Sequence, residues 1–256
     1  MDIATLLGIG LAFGAVIASI FLEGSSPMSV MLPAPMLLVL GGTIGAGLAT
    51  TTVKDFVAGF SGLGQFLLYK RRDPHDTVDQ VVALAEKARR EGLLALEEAT
   101  RDIDDDFLKD GLQSAIDGTD PEDLRAMMEA RIDAKRARDR TVAKLFTDMG
   151  GFAPTIGIIG TVVSLVHVLE NLADPSGIGH MIAAAFVATL WGLLSANLIW
   201  LPIAARIKRV SELESQRMEL AMEGLLAIQA GANPRVVGAR LRSLAPEPPK
   251  SAQEAA

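Results

Sequence analysis

Cysteine is absent from the 256 residues, which excludes a disulfide framework, a thiolate metal site and a cysteine nucleophile. The three histidines, His75, His167 and His180, are scattered and show no ligand spacing. No phosphate-cradling Gly-x4-Gly-Lys loop occurs, so ATP is not the expected energy source. No nucleophile–base constellation or metal ligand set falls within the apolar segments, so an enzyme is not expected. The net charge of −7 argues against a nucleic-acid partner. The most telling absence concerns lysine and arginine. Neither occurs before Lys54, nor between Lys144 and Arg206.

What fills those two stretches is Gly-rich and strongly apolar. Half of the chain is hydrophobic and its mean hydropathy is positive, too apolar for an ordinary soluble domain. Basic residues stay on the cytoplasmic side of a membrane when loops are short. The pattern therefore predicts a multi-pass membrane protein whose two hairpins leave the cytoplasm and return. Four segments have the ~20-residue apolar length of a span: about Ile3–Leu22, Met31–Thr51, Gly150–Leu169 and Gly179–Ile207. Ile3–Leu22 lacks a basic flank and is about span length, so it is expected to be a retained first helix rather than a signal peptide. Short connectors rich in turn residues, Glu23–Pro27 and Asn171–Ser176, make each pair an antiparallel hairpin. Both termini are then cytoplasmic. Within those two apolar stretches the acids are Asp2, Glu23, Asp148, Glu170 and Asp174, all at expected span ends or loops. No carboxylate lies at mid-membrane.

The expected fold is an all-α polytopic membrane protein, with four transmembrane helices and a helical cytoplasmic domain between spans two and three. The boundaries are 1–51 for the first hairpin, 52–148 for the cytoplasmic domain, 149–207 for the second hairpin, and 208–256 for a cytoplasmic helix and tail. Within 52–148, Asp76-Thr77 precedes a helical stripe of Val78, Val81, Val82 and Ala85. Thr119-Asp120-Pro121-Glu122-Asp123 combines cap, first-turn proline and acids that complement the dipole. A single helix starting there can run on into the third span. The tail from Ala245 has a disordered composition.

Within the spans, Gly157 and Gly160 share a helix face and permit close approach of another helix. Pro154 removes a backbone donor near the cytoplasmic end of its span, and Pro202 falls near the same level. Thr161 lies about 11 residues into the outward-running helix, or ~16 Å deep at ~1.5 Å per residue. Thr189 lies about as far into the inward-running one, so two hydroxyls share one depth. They could help line a polar path, but alone they neither relay protons nor hold a bare cation. Each threonine has a simpler role open to it, bonding its own i−4 carbonyl. His167 and the tryptophans Trp191 and Trp200 fit interfacial or packing positions.

These residues resemble a known family. Gly157-Ile158-Ile159-Gly160-Thr161-Val162-Val163, the Asp174-Pro175 turn, Ala188-Thr189-Leu190-Trp191-Gly192 and Pro202-Ile203-Ala204 are similar to flagellar motor stator proteins of the MotA/PomA family. Arg89-Arg90-Glu91-Gly92-Leu93-Leu94-Ala95-Leu96-Glu97 resembles the family's cytoplasmic charged segment, and Glu223–Arg242 its C-terminal signature. The resemblance covers nearly the whole chain and implies a location in the bacterial inner membrane. It implies a pentamer around a dimer of a single-span MotB/PomB-like partner that supplies the ion-binding aspartate. No cofactor is implied, only a transported sodium ion or proton. Pro154 and Pro202 match the family's functional prolines. Arg89 and Glu97, or Arg90 and Glu98, match charges that contact a FliG-like rotor switch protein. Thr161 and Thr189 fall on the ion path. Thr161 stands where sodium-driven members resemble it and many proton-driven ones carry alanine, which favours sodium.

Two other functions compete. ExbB/TolQ-like transducers share the core mechanism but usually have three spans, and the complete first hairpin argues against them. A non-conducting scaffold would need neither paired threonines nor rotor-like charges.

Overall fold

The computed structural model describes residues 3–70, 72–172 and 175–245, and side chains from Leu7 in the first helix and from Gly177 after the second gap. Asp2, Asp174 of the expected Asp-Pro turn and the tail beyond Ala245 lie outside the described residues. Every regular element among the described residues is helical. The chain divides into two compact units, Met1–Lys70 with Arg138–Val210, and Arg71–Ala137 with Ser211–Ala256.

The first unit contains α1 (Ile3–Leu22) and α2 (Pro33–Ala49), the latter passing through a π turn at Leu37–Gly41. A 3₁₀ turn at Pro27–Val30, capped by Ser26, lies between them, so α2 is shorter than the expected Met31–Thr51. Prolines at positions 33 and 35 fit a helix's first turn, where donors are unpaired in any case. Then come α3 (Val53–Ser61) and α4 (Leu63–Leu67).

In the second unit, α5 (Pro74–Glu91) is capped by Asp73, whose carboxylate accepts from the His75 amide. It therefore starts before the expected Asp76-Thr77. Next are α6 (Leu96–Ala99) and α7 (Asp106–Ile116). Helix α8 spans Pro121–Glu170, with Asp120 accepting from the Glu122 amide at 2.9 Å, as the capping sequence predicts. Its residues to Ala137 belong to the second unit and the rest to the first.

Helix α9 (Pro175–Ser195) continues through a π turn at Ala196–Trp200 into α10 (Leu201–Gln229), and α11 (Pro234–Leu244) closes the described chain. The π turn has a local cause. Pro202 has no amide hydrogen and its ring crowds the carbonyl four residues back, so the helix widens just ahead of it. The Leu201 amide reaches back to the Ala196 carbonyl.

Two helices, Pro121–Glu170 and Gly177–Gln229, are long and apolar enough to cross a membrane, and Leu7–Leu22 and Pro33–Ala49 are shorter apolar helices. Ile158, Ile159, Val162, Val163, Val166 and Leu169 of α8 are all exposed. Water disfavours such a belt, whereas hydrocarbon does not.

The core of the first unit joins α3 and α4 to α8 and α10. Phe60 meets Phe146 edge-on at 5.2 Å, and Phe146 stacks on Trp200 at 6.4 Å. The second unit is built around Val78, Val81, Leu96, Leu108, Leu112 and Leu225, all fully buried or nearly so. Its main buried ion pair joins Arg217 of α10 to Asp105, which also caps α7. Burial works against the Arg217 charge, but Asp105 and Glu214 outweigh it and hold its pKa above the ordinary value.

Candidate functional site: a paired hydroxyl contact and a charged surface

In the first unit α8 and α9 touch through glycine. A Cβ on Gly157 would stand 2.9 Å from the Ala188 carbonyl oxygen, and one on Gly192 would stand 2.8 Å from that of Ala153. Real Cβ atoms do not sit so close to backbone, so only glycine allows this crossing. Gly160 plays a related part, facing Ala188 and Leu38 of α2. Gly192 escaped the sequence reading. In an antiparallel pair that sets Thr161 opposite Thr189, however, the partner of Gly157 must lie near position 193.

That close approach brings Thr161 and Thr189 together. Their hydroxyl oxygens are 2.5 Å apart. Thr161 Oγ1 is also 3.0 Å from the Ala185 carbonyl oxygen and 3.2 Å from that of Gly157. The i−4 bond of an ordinary helical threonine is thus present, but it does not stand alone. Carbonyls only accept, and Thr161 has one hydrogen, so Thr189 donates to Thr161, which donates to a carbonyl. Four neutral oxygens converge between two apolar helices. Such a cluster can offer ligands to a hard cation, but it carries no charge to neutralise one.

The prolines are linked less directly. Pro154 is half-buried inside α8 and deprives the Gly150 carbonyl of its helical donor. A Cβ on Gly150 would stand 2.6 Å from a Leu201 methyl, and Leu201 directly precedes Pro202. The two prolines are therefore offset by about one helical turn rather than level, with both backbone interruptions bordering one contact. Trp191 is anchored too, its indole N–H donating to the Val30 carbonyl at 2.7 Å.

The second unit carries the charged segment. Arg89 and Arg90 end α5, while Glu97 and Glu98 sit on α6. The eight-residue spacing therefore does not lie along one helix. Between them Gly92 adopts φ +86° and ψ 165°, where other residues are strained. All four side chains are exposed, and among the described residues none makes an ion pair. A concavity of about 430 Å³ gathers Glu97 and Glu98 with Lys87, Glu91 and Arg101, but not Arg89 or Arg90. The sequence reading missed Leu96, whose fully buried side chain pins this segment to the core. Its signal was its place at the end of the short apolar run Leu93–Leu96, between charged stretches.

Fold and site together define a class: a helical membrane protein of the ion-channel type, with a neutral polar contact inside its apolar helices. Residues 6–92 match the "Motility protein A N-terminal" family, and residues 99–220 match the "MotA/TolQ/ExbB proton channel family". Motility protein A of Bacillus subtilis is 36% identical over 245 residues, covering 94% of this chain and 90% of the relative. Chemotaxis protein PomA of Vibrio alginolyticus is 36% identical over 243 residues, covering 95% of each. Among solved structures, that of C. jejuni MotAB superposes with a TM-score of 0.92 at 27% identity, covering 98% of both chains. The flagellar MotAB stator complex from Bacillus subtilis gives a TM-score of 0.85 at 36% identity, covering 92% of this chain and 93% of that one. The chain belongs to the MotA/PomA family of motility stator proteins, within the MotA/TolQ/ExbB proton channel family. These are membrane-embedded proteins of the ion-channel type, not an enzyme family.

Proposed function

We propose that the chain is a stator subunit of the bacterial flagellar motor. With a single-span MotB-like partner it forms an ion channel and couples ion flow to torque on the rotor. The observation that carries this is the oxygen cluster at Thr161 and Thr189, built without any carboxylate in the apolar part of its helices. A path of neutral oxygens needs a titratable or ion-binding acid from elsewhere, and a partner aspartate meets that need.

In this reading four helices span the inner membrane as two hairpins, with both termini and the charged unit in the cytoplasm. The confinement of every lysine and arginine to two blocks supports that orientation. Five copies surround a partner dimer. Thr161 and Thr189 lie on the ion path, and Thr161 favours sodium over the proton. Pro154 and Pro202 pace a conformational step at the Gly150–Leu201 contact. Arg89, Arg90, Glu97 and Glu98 meet the rotor, and their lack of ion pairs among the described residues suits that role. The match of residues 6–92 to the motility N-terminal family supports a motor role over an ExbB/TolQ-like transducer.

The test is rescue of swimming in a strain lacking its own stators, by this chain with a MotB-like partner. Restored swimming is expected. Failure with every partner tried, while the complex assembles in the membrane, contradicts the proposal.

A further inference from the structure

Leu94 is 74% exposed in the second unit. A lone exposed leucine is ordinary on a protein surface. Three features set this one apart. It lines the 430 Å³ concavity together with Ala95 and five charged side chains. Its backbone is held on both sides, by the Gly92 turn before it and by buried Leu96 after it, with Leu93 packed on the core. The rim charges Lys87, Glu91, Glu97, Glu98 and Arg101 make no ion pair among the described residues. An apolar anchor on rigid backbone, ringed by polar groups that exclude water, is how a few residues come to dominate a protein contact.

We infer that Leu94 is the apolar anchor of the rotor contact, and that Lys87, Glu91 and Arg101 complete a rim with Glu97 and Glu98. The inference rests on the stator reading. The rim holds three acids and two bases, so it fits a partner helix with an apolar side chain beside residues of both signs, basic ones in excess. Contact there desolvates Leu94, and the rim charges set approach and register. Arg89 and Arg90, outside the concavity, act on the approach.

The experiment uses the full chain with its MotB-like partner in a strain lacking other stators. Single motors are watched as expression is induced, and each engaged unit appears as a speed step. L94D is expected to give at least about tenfold fewer steps than the parent chain and L94A an intermediate number, in line with loss of a contact anchor. Both variants should assemble with the partner and conduct ions like the parent chain, because Leu94 supports no core. Unchanged step counts for L94D overturn the inference. So does a matching loss of assembly or conductance, which would place Leu94 against another copy of the chain. Absence of steps from the parent chain itself, in a complex that conducts, brings down the stator reading and this inference with it.

Discussion

Thr161 and Thr189, 28 residues apart in sequence, meet with their hydroxyl oxygens 2.5 Å apart. The contact exists because Gly157 and Gly192 let α8 and α9 approach to backbone distance. Two side chains that share one proton network act as a unit, so their substitutions are not expected to add. T161A and T189V should each lower ion-driven rotation at least about fivefold, the factor that ~1 kcal/mol of lost oxygen–ion interaction represents. The double variant should be little worse than the poorer single one. Rotation speed at fixed stator number measures this, and additive losses would separate the two hydroxyls.

The glycine crossing makes a sharper structural prediction. G157A and G192A each push a methyl into backbone, which side-chain rotation cannot relieve, and should destabilise the complex by about 1–3 kcal/mol. Gly151 and Gly179 meet nothing within 4 Å, so G151A and G179A should be neutral or stabilise by up to about 1 kcal/mol through helix propensity. Thermal melting of the detergent-purified complex compares the four.

Gly92 differs in kind. A Cβ there would also meet nothing within 4 Å, so the cost of G92A is purely conformational, about 1–3 kcal/mol for φ +86°. Part of that strain can be relieved by shifting the segment that carries Glu97 and Glu98. Torque should therefore fall at stator levels where assembly is still normal. Step analysis of single motors, with assembly followed by co-purification, measures both.

Arg217 and Asp105 are both largely buried, and Asp105 caps α7 as well. R217A leaves that carboxylate buried without its partner and should cost about 3–5 kcal/mol, whereas R217M with D105N, which keeps a capping oxygen but no charge, should recover part of the loss. Because the folded-state pKa of Arg217 is raised, its contribution is present in full below the ordinary arginine range and is lost only as pH rises through the raised folded-state value. Removing the arginine should thus lower stability by the same amount at pH 6 and pH 9, which melting at both values checks.

Much of this was legible in the residues. Confinement of positive charge marked out the apolar helices, and Asp120-Pro121 located the start of α8 to the residue. The shared depth of Thr161 and Thr189 followed from rise per residue, because a straight helix turns sequence position into height. Three-dimensional detail was less legible where one residue interrupts a regular period. The spacing of the charged segment allows one continuous helix face, but Gly92, at positive φ, ends α5, so Arg89 and Glu97 sit on different helices. Pro154 lies 7 residues from Thr161 but Pro202 lies 13 from Thr189, so helices registered at the threonine pair cannot hold the two prolines level, and equal distances from the expected span ends were no guide to height. Gly192 was in plain view, but its role needs Gly157 on another helix to become visible.

In the proposed mechanism, ions passing the Thr161–Thr189 contact drive rotation. The most direct measurement is the speed of single motors powered by this chain and its partner, as external sodium is stepped at constant membrane voltage. Speed should follow the sodium gradient in the parent chain and collapse in the T161A/T189V double variant, although that variant still assembles. Rotation of the double variant at the parent speed would contradict the account.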